Sequence, residues 1–145
     1  RYLREISVDD FNKYKNLIAD ETVRRRVEHI VTENDRVIKS VNVLKNNDLK
    51  TFGKLMNASH DSLRDLYEVT GVELDTLVTE ARKIDGVLGS RMTGAGFGGC
   101  TVSLVKEDMA DEFIQRVGEA YKQRIGYPAS FYISETGDGS REIIL

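Results

Sequence analysis

At 145 residues, with 40% hydrophobic and 31% charged residues, the chain has the composition of an ordinary globular domain, long enough to bury a core without disulfides. Its net charge of -3 excludes a general nucleic-acid binder, which carries a basic balance or patch. Cys100 is the single cysteine, so no disulfide forms within the chain and no cysteine cluster points to zinc, a usage that fits a reducing compartment.

In chain order, "YLREIS" (2–7) reads as a short extended entry. Ser7 and Asp10 resemble a capping box with Asp in place of Glu or Gln. Phe11, Tyr14, Leu17 and Ile18 follow at helical spacing. A long helix is predicted over about 21–46, with Val23, Val27, Ile30, Val31, Val37, Ile38, Val41 and Leu44 as its apolar stripe. Within it, Arg24, Arg25 and Arg26 lie alongside Glu21 and Glu28 and read as a solvated face. Asn46-Asn47 ends that helix, and Asp48 caps the next. The next carries Leu49, Phe52, Leu55, Met56, Leu63 and Leu66, with Gly71 suited to the left-handed position after its end. A third is predicted over about 72–84.

The pattern changes after Asp85-Gly86. "GVLGSRM" and "CTVSLV" read as strands on either side of "TGAGFGG". A helix then starts at Glu107 or Asp108 and closes at Gly126. "ASFYIS" (129–134) reads as a strand, "TGDGS" (136–140) as a turn and "REIIL" (141–145) as a last strand. Several helices followed by β-loop-β-α-β-β predict one α+β domain over 1–145, with helices packed on one face of a small, mainly antiparallel sheet. No apolar run approaches the roughly 18 residues of a membrane span, and no signal peptide opens the chain. The first residue is Arg1 and not Met, which reads as a piece of something longer or a processed product.

Four glycines in Gly94–Gly99 are costly to order. Gly94, Gly96 and Gly99 match G-x-G-x-x-G, but a strand follows where a dinucleotide site needs a helix. The Gly-Lys-Ser/Thr of a Walker loop is absent, as are the His-Arg-Asp and Asp-Phe-Gly of a protein kinase. Two readings stay open: a tight strand connection, or a cradle in which N–H groups at positive φ converge on an anion. In the cradle reading Gly96 is the most sensitive position, because a β-branched side chain would fill the space where phosphate oxygens approach.

Other residues read more plainly. Arg91 and Thr93 flank the loop, Arg91 as an exposed strand cation that can also see phosphate charge. His29 and His60 carry no ligand role. Asp61 and Asp65 share a helical face beside Arg64 and read as solvated. Cys100 reads as a small buried hydrophobe, and Tyr67 and Phe97 as core packing.

"GVLGSRMTGAGFGGCTVSLV" resembles the third motif of the GHMP small-molecule kinases, in the form carried by galactokinases. "LMNASHDSLRDLYEVTGVELDTLV" (55–78) and "ASFYISETGDGS" resemble segments of the same enzymes. Leu66 departs from the "RDDYEV" of many of them. The resemblance implies a GHMP-kinase C-terminal domain with a ferredoxin-like core and extra N-terminal helices. It also implies a cytoplasmic parent that moves the γ-phosphoryl of ATP, with Mg²⁺, to the C1 hydroxyl of galactose. The loop Gly94, Ala95, Gly96, Phe97, Gly98 and Gly99 then borders the phosphate site, with Arg91 and Thr93 flanking it. The family's sugar signature, Ser-rich loop, catalytic Asp and Arg lie in an N-terminal domain that this chain lacks, so no catalytic residue and no metal ligand is assigned here. A kinase for N-acetylgalactosamine and a non-catalytic galactose/ATP sensor are the alternative parents. An isolated domain of this kind is expected to fold, to be inactive and to self-associate through the face its N-terminal domain would cover.

Overall fold

The computed structural model describes residues 2–137 together with Gly139 and Glu142. A single 3₁₀ turn, Leu3–Glu5, stands where an extended entry was expected. Helix α1, Val8–Tyr14, starts at Ser7, whose Oγ accepts the Asp10 N–H at 3.0 Å and donates to Asp10 Oδ2 at 2.7 Å. Helix α2, Glu21–Lys45, is capped by Asp20 through the Val23 N–H at 3.0 Å. It stops at Asn46-Asn47, where Asn47 turns to a φ of 55°. Asp48 caps α3, Leu49–Ser62, by accepting the Thr51 N–H at 3.0 Å.

The exit from α3 differs from the expectation. The helix loosens into a π-turn, Leu63–Tyr67, and the left-handed position falls on Glu68, with φ 60° and ψ 47°. Gly71 serves the next helix instead: with φ 91° and ψ 165° it starts α4, Val72–Ala81. A left-handed glutamate is uncommon, so other groups hold it there.

Strand β1, Val87–Thr93, pairs antiparallel with β2, Cys100–Val105, and the register sets Ser90 opposite Ser103 and Thr93 opposite Cys100. Helix α5, Ala110–Ile125, follows a 3₁₀ turn at Glu107–Met109 and ends at Gly126, as expected. Residues 129–134 form no strand. Phe131 instead packs edge-on to Phe113 of α5, with ring centroids 6.2 Å apart, so burial of its ring against the helix replaces strand pairing. The last predicted strand, 141–145, lies outside the described residues apart from Glu142, and so does part of the 136–140 turn. Among the described residues no helix is long and apolar enough to cross a membrane.

The two strands have one edge that needs cover. The N–H groups of Ser90 and Met92 face away from β2, and α3 lies along them. Asn57 Oδ1 accepts the Ser90 N–H at 2.9 Å, and His60 Nδ1 accepts the Met92 N–H at 3.1 Å. A helix and a strand approach this closely only where both lack Cβ. A Cβ added at Gly53 of α3 would collide with the Leu88 carbonyl, and one at Gly89 with the Gly53 backbone. On either side sit two apolar clusters. Leu63, Leu74 and Met92 form one, with Tyr67 and Val69 against it. Ala81, Ile84 and Val117 form the other, covered by Leu77, Val87, Met109, Phe113 and Phe131.

Only part of the stripe on α2 is buried, and hydrogen bonds also join α2 to α3. His29 Nδ1 meets Ser62 Oγ at 2.8 Å, and Ser59 Oγ donates to Glu33. Val31 is buried, whereas Val23, Val37, Ile38, Val41 and Leu44 are exposed. Periodicity located the stripe but not the hydrogen bonds that tie α2 to α3.

Gly53→Ala is expected to destabilise the fold by about 3 kcal/mol or more, because the obstacle is backbone and cannot swing aside. Urea unfolding of the wild-type and variant chains measures it; equal midpoints would mean that α3 does not rest on β1.

Candidate functional site

The hairpin connection 94–99 starts and ends at the paired residues Thr93 and Cys100. Its φ angles are 82° at Gly94, 85° at Gly96, 55° at Phe97 and 91° at Gly98. An ordinary tight connection needs one or two such residues, and this one holds four. The glycines differ in why they are bare. A Cβ at Gly94 or Gly98 would meet nothing within 4 Å, whereas one at Gly96 would collide with the carbonyl of Val69. That carbonyl also accepts the Phe97 N–H at 2.9 Å. The space beside Gly96 is thus taken by the protein's own backbone, and the positions open to an approaching anion are Gly94 and Gly98.

Among the described residues, the N–H groups of Ala95, Gly98 and Gly99 meet no hydrogen-bond acceptor. Unpaired donors on bare, exposed backbone suit an anion, because each charge-assisted bond contributes about 1.5–3 kcal/mol. Phe97 is 79% exposed, against the expectation of core packing, since its left-handed backbone turns the ring outward while its N–H is tied inward. Cys100 is also exposed, because it opens β2 on the uncovered side of the hairpin. Thr93 is exposed at the strand end. Arg91 is half-buried, not exposed, and its Nε donates to the Met92 carbonyl at 3.0 Å.

The residues beneath the loop were largely passed over at the level of sequence. His60 is 1% exposed. Its Nδ1 accepts from Met92, so its proton sits on Nε2, which lies 3.1 Å from Asp75 Oδ1 but out of line for a full hydrogen bond. Arg82 ties α4 to the same edge. It donates to Asn57 Oδ1 at 3.0 Å, the Asn57 carbonyl at 2.8 Å, the Ser90 carbonyl at 3.3 Å and Asp61 Oδ1 at 2.8 Å. The aspartates read as one solvated pair therefore part company. Asp61 is half-buried on Arg82, while Asp65 stays exposed on Arg64, whose hydrogen bonds lower its pKa. Tyr67 stacks on His29 with centroids 4.6 Å apart, in keeping with a packing role. The arginine run is not a free face: Arg25 and Arg26 both pair with Glu68. The signal that could have found His60 and Asn57 is their i, i+3 spacing, four residues beyond the helical Gly53.

Burial pushes the His60 pKa below 6.5, and the Arg82 charge adds to it, against Asp75 and Asp61, which raise it. The unfolded chain thus takes up a proton first as pH falls, and stability drops from pH 6.5 down to the folded-state pKa. His29, also lowered by burial, acts in the same direction. His60→Asn keeps an acceptor but cannot titrate, so it is expected to flatten the fall in melting temperature as pH drops below about 6.5. An unchanged slope would remove His60 from the titration.

Residues 40–123 match the family described as GHMP kinases C terminal. The chain is 58% identical to a galactokinase of Clostridium acetobutylicum over 97% of its length, covering 36% of that protein. It is 50% identical to a galactokinase of Bacillus subtilis, again over 97% of its length and 36% of the relative. The crystal structure of Lactococcus lactis galactokinase complexed with galactose superposes with a TM-score of 0.93 at 48% identity, over 99% of this chain and 37% of that one. The L. major mevalonate kinase in complex with R-mevalonate is more distant, with a TM-score of 0.54 at 27% identity over 81% of this chain and 34% of that one. The chain thus spans about a third of the length of the relatives it matches, and the glycine hairpin with its helical support lies inside the matched family region. It belongs to the GHMP kinase C-terminal family.

Proposed function

We propose that the chain is the C-terminal domain of a cytoplasmic galactokinase, a parent that transfers the γ-phosphoryl of ATP to the C1 hydroxyl of galactose. Its contribution is the loop 94–99. The observation that carries this reading is the unpaired backbone of Ala95, Gly98 and Gly99 beside two glycines with open space around them. Phosphoryl transfer asks a protein mainly for positioning and charge stabilisation. Preorganised N–H donors supply both, and they need no reorganisation as charge builds on the transferring group. Arg91 and Thr93 lie on the strand that leads into the loop. The phosphates of ATP fit these donors.

Mg²⁺ is different. It is held by one or two carboxylates together with substrate phosphates rather than by a protein cage. In this proposal the metal, the sugar pocket and the catalytic groups belong to the N-terminal domain of the parent. The exposed Val37, Ile38, Val41 and Leu44 of α2 offer apolar surface for a covering partner, and for self-association when that partner is missing.

In the complete parent enzyme, Gly94→Val and Gly98→Val are expected to lower kcat/KM for ATP about tenfold or more, through strain at positive φ and displaced donors. The KM for galactose should stay unchanged. Gly96→Val should instead lower the melting temperature first, because it meets Val69. Normal ATP kinetics in the folded fraction of both outer variants would reduce the loop to a strand connection. The 145-residue chain alone is expected to show no galactose-dependent ATP turnover; activity of the purified chain, free of contaminating kinase, would overturn the assignment of the catalytic groups to the rest of the parent.

A further inference from the structure

We infer that Glu68, clamped by Arg25 and Arg26, is a positioning residue for the glycine loop, so that the first turns of α2 set how well the loop takes a polyphosphate. This rests on the reading of 94–99 as the phosphate-facing loop.

The loop is seated on one carbonyl. Val69 O accepts the Phe97 N–H at 2.9 Å and occupies the place a Cβ of Gly96 would take. Wherever Val69 goes, the loop base follows. Val69 in turn follows Glu68, which sits in the left-handed region at the end of a five-residue π-turn. The Val69 N–H closes that turn on the Leu63 carbonyl at 3.2 Å. Conformations of this kind persist where the surroundings over-determine them, and π-turns gather at functional sites.

The surroundings here are two guanidinium groups. Arg25 meets both oxygens of Glu68, at 2.9 and 3.4 Å, and reaches the Asp65 carbonyl at 3.5 Å. Arg26 donates to Glu68 Oε2 and to the Leu66 carbonyl, and lies over the Tyr67 ring, 5.9 Å from its centroid. Together they grip the carbonyls of Asp65 and Leu66 and the side chain of Glu68, that is, the turn from which Val69 emerges. A left-handed position alone would be better served by Gly or Asn. Partly exposed ion pairs add little to stability. What the glutamate supplies that Gly and Asn do not is a fixed tie from α2 to the turn. Releasing that tie spreads Val69, and the loop with it, over several positions. The apparent affinity for ATP then falls in proportion to the share of molecules in the competent one.

The test uses the complete parent enzyme with Glu68→Gly and Glu68→Asn, both at home in the left-handed region. The melting temperature is expected to hold or rise, while the KM for ATP rises about fivefold or more and the KM for galactose stays. Arg26→Met should raise the ATP KM in the same way. A wild-type ATP KM in both Glu68 variants, where Gly94→Val does impair ATP kinetics, overturns the clamp and leaves the loop reading standing. A lower melting temperature with normal KM in the folded fraction also overturns it, since that is the mark of a purely structural residue. If Gly94→Val and Gly98→Val themselves leave ATP kinetics intact, the loop reading fails and the clamp proposal fails with it.

Discussion

A strand edge buried against a helix must have its N–H groups satisfied by something other than a strand. In this fold the requirement falls on Ser90 and Met92, and Asn57 and His60 of α3 meet it. The side-chain acceptors are short, so the helix axis must come close. Closeness forces the bare contact of Gly53 with Gly89. Once that contact exists, α3 has no freedom to slide or roll on β1. The last acceptor, His60, binds one residue before Thr93, where the strand gives way to the glycine loop. The same geometry therefore covers an edge and fixes the root of the loop.

The far side of the loop is fixed by a different route. The chain leaves α3 through a π-turn and a left-handed glutamate, a conformation that costs about 1–3 kcal/mol. It then presents the Val69 carbonyl to Phe97 and Gly96. Both routes start from α3: residues 57 and 60 reach the strand, and residues 63–69 reach the loop. Leu63 and Val69 share an apolar cluster with Met92, so the packing that seats the turn also seats the strand. With root and base held by one rigid helix, the outer glycines are left to face solvent with unpaired donors.

The elements legible in the sequence were those with a strong local cause. Ser7, Asp48 and Gly126 ended or began helices as their chemistry directs, and the β-branched runs on either side of the glycines paired as a hairpin. Most of the misreadings have a common physical origin: the residue answered to a distant partner. Gly71 looked like a helix stop, but the arginines of α2 let Glu68 take that position. The arginine run looked solvated because its acceptor lies 40 residues or more away in sequence. Phe97 and Cys100 looked apolar enough to bury, yet both are exposed, because among the described residues no layer covers the hairpin end. The strand at 129–134 had the right composition, but Phe131 found α5 instead. Of the candidate site, the loop itself was legible and the reason for Gly96 was not, since no local rule brings Val69 to it.

The polar contact between α2 and α3 follows from the same geometry. An apolar stripe can slip along its partner by a residue, about 1.5 Å of rise, with modest loss. A pair such as His29 with Ser62, or Glu33 with Ser59, cannot, because a buried polar group that loses its partner bears the full desolvation cost. These two pairs therefore set α2 at one height on α3. That height brings Arg25 and Arg26 level with the turn at Asp65–Glu68, one helical turn before His29. Part of the predicted apolar stripe faces outward, at Val37, Ile38, Val41 and Leu44. Helix α2 thus carries two kinds of surface: a directional polar one that fixes its height against the loop support, and an apolar one that remains free for a partner.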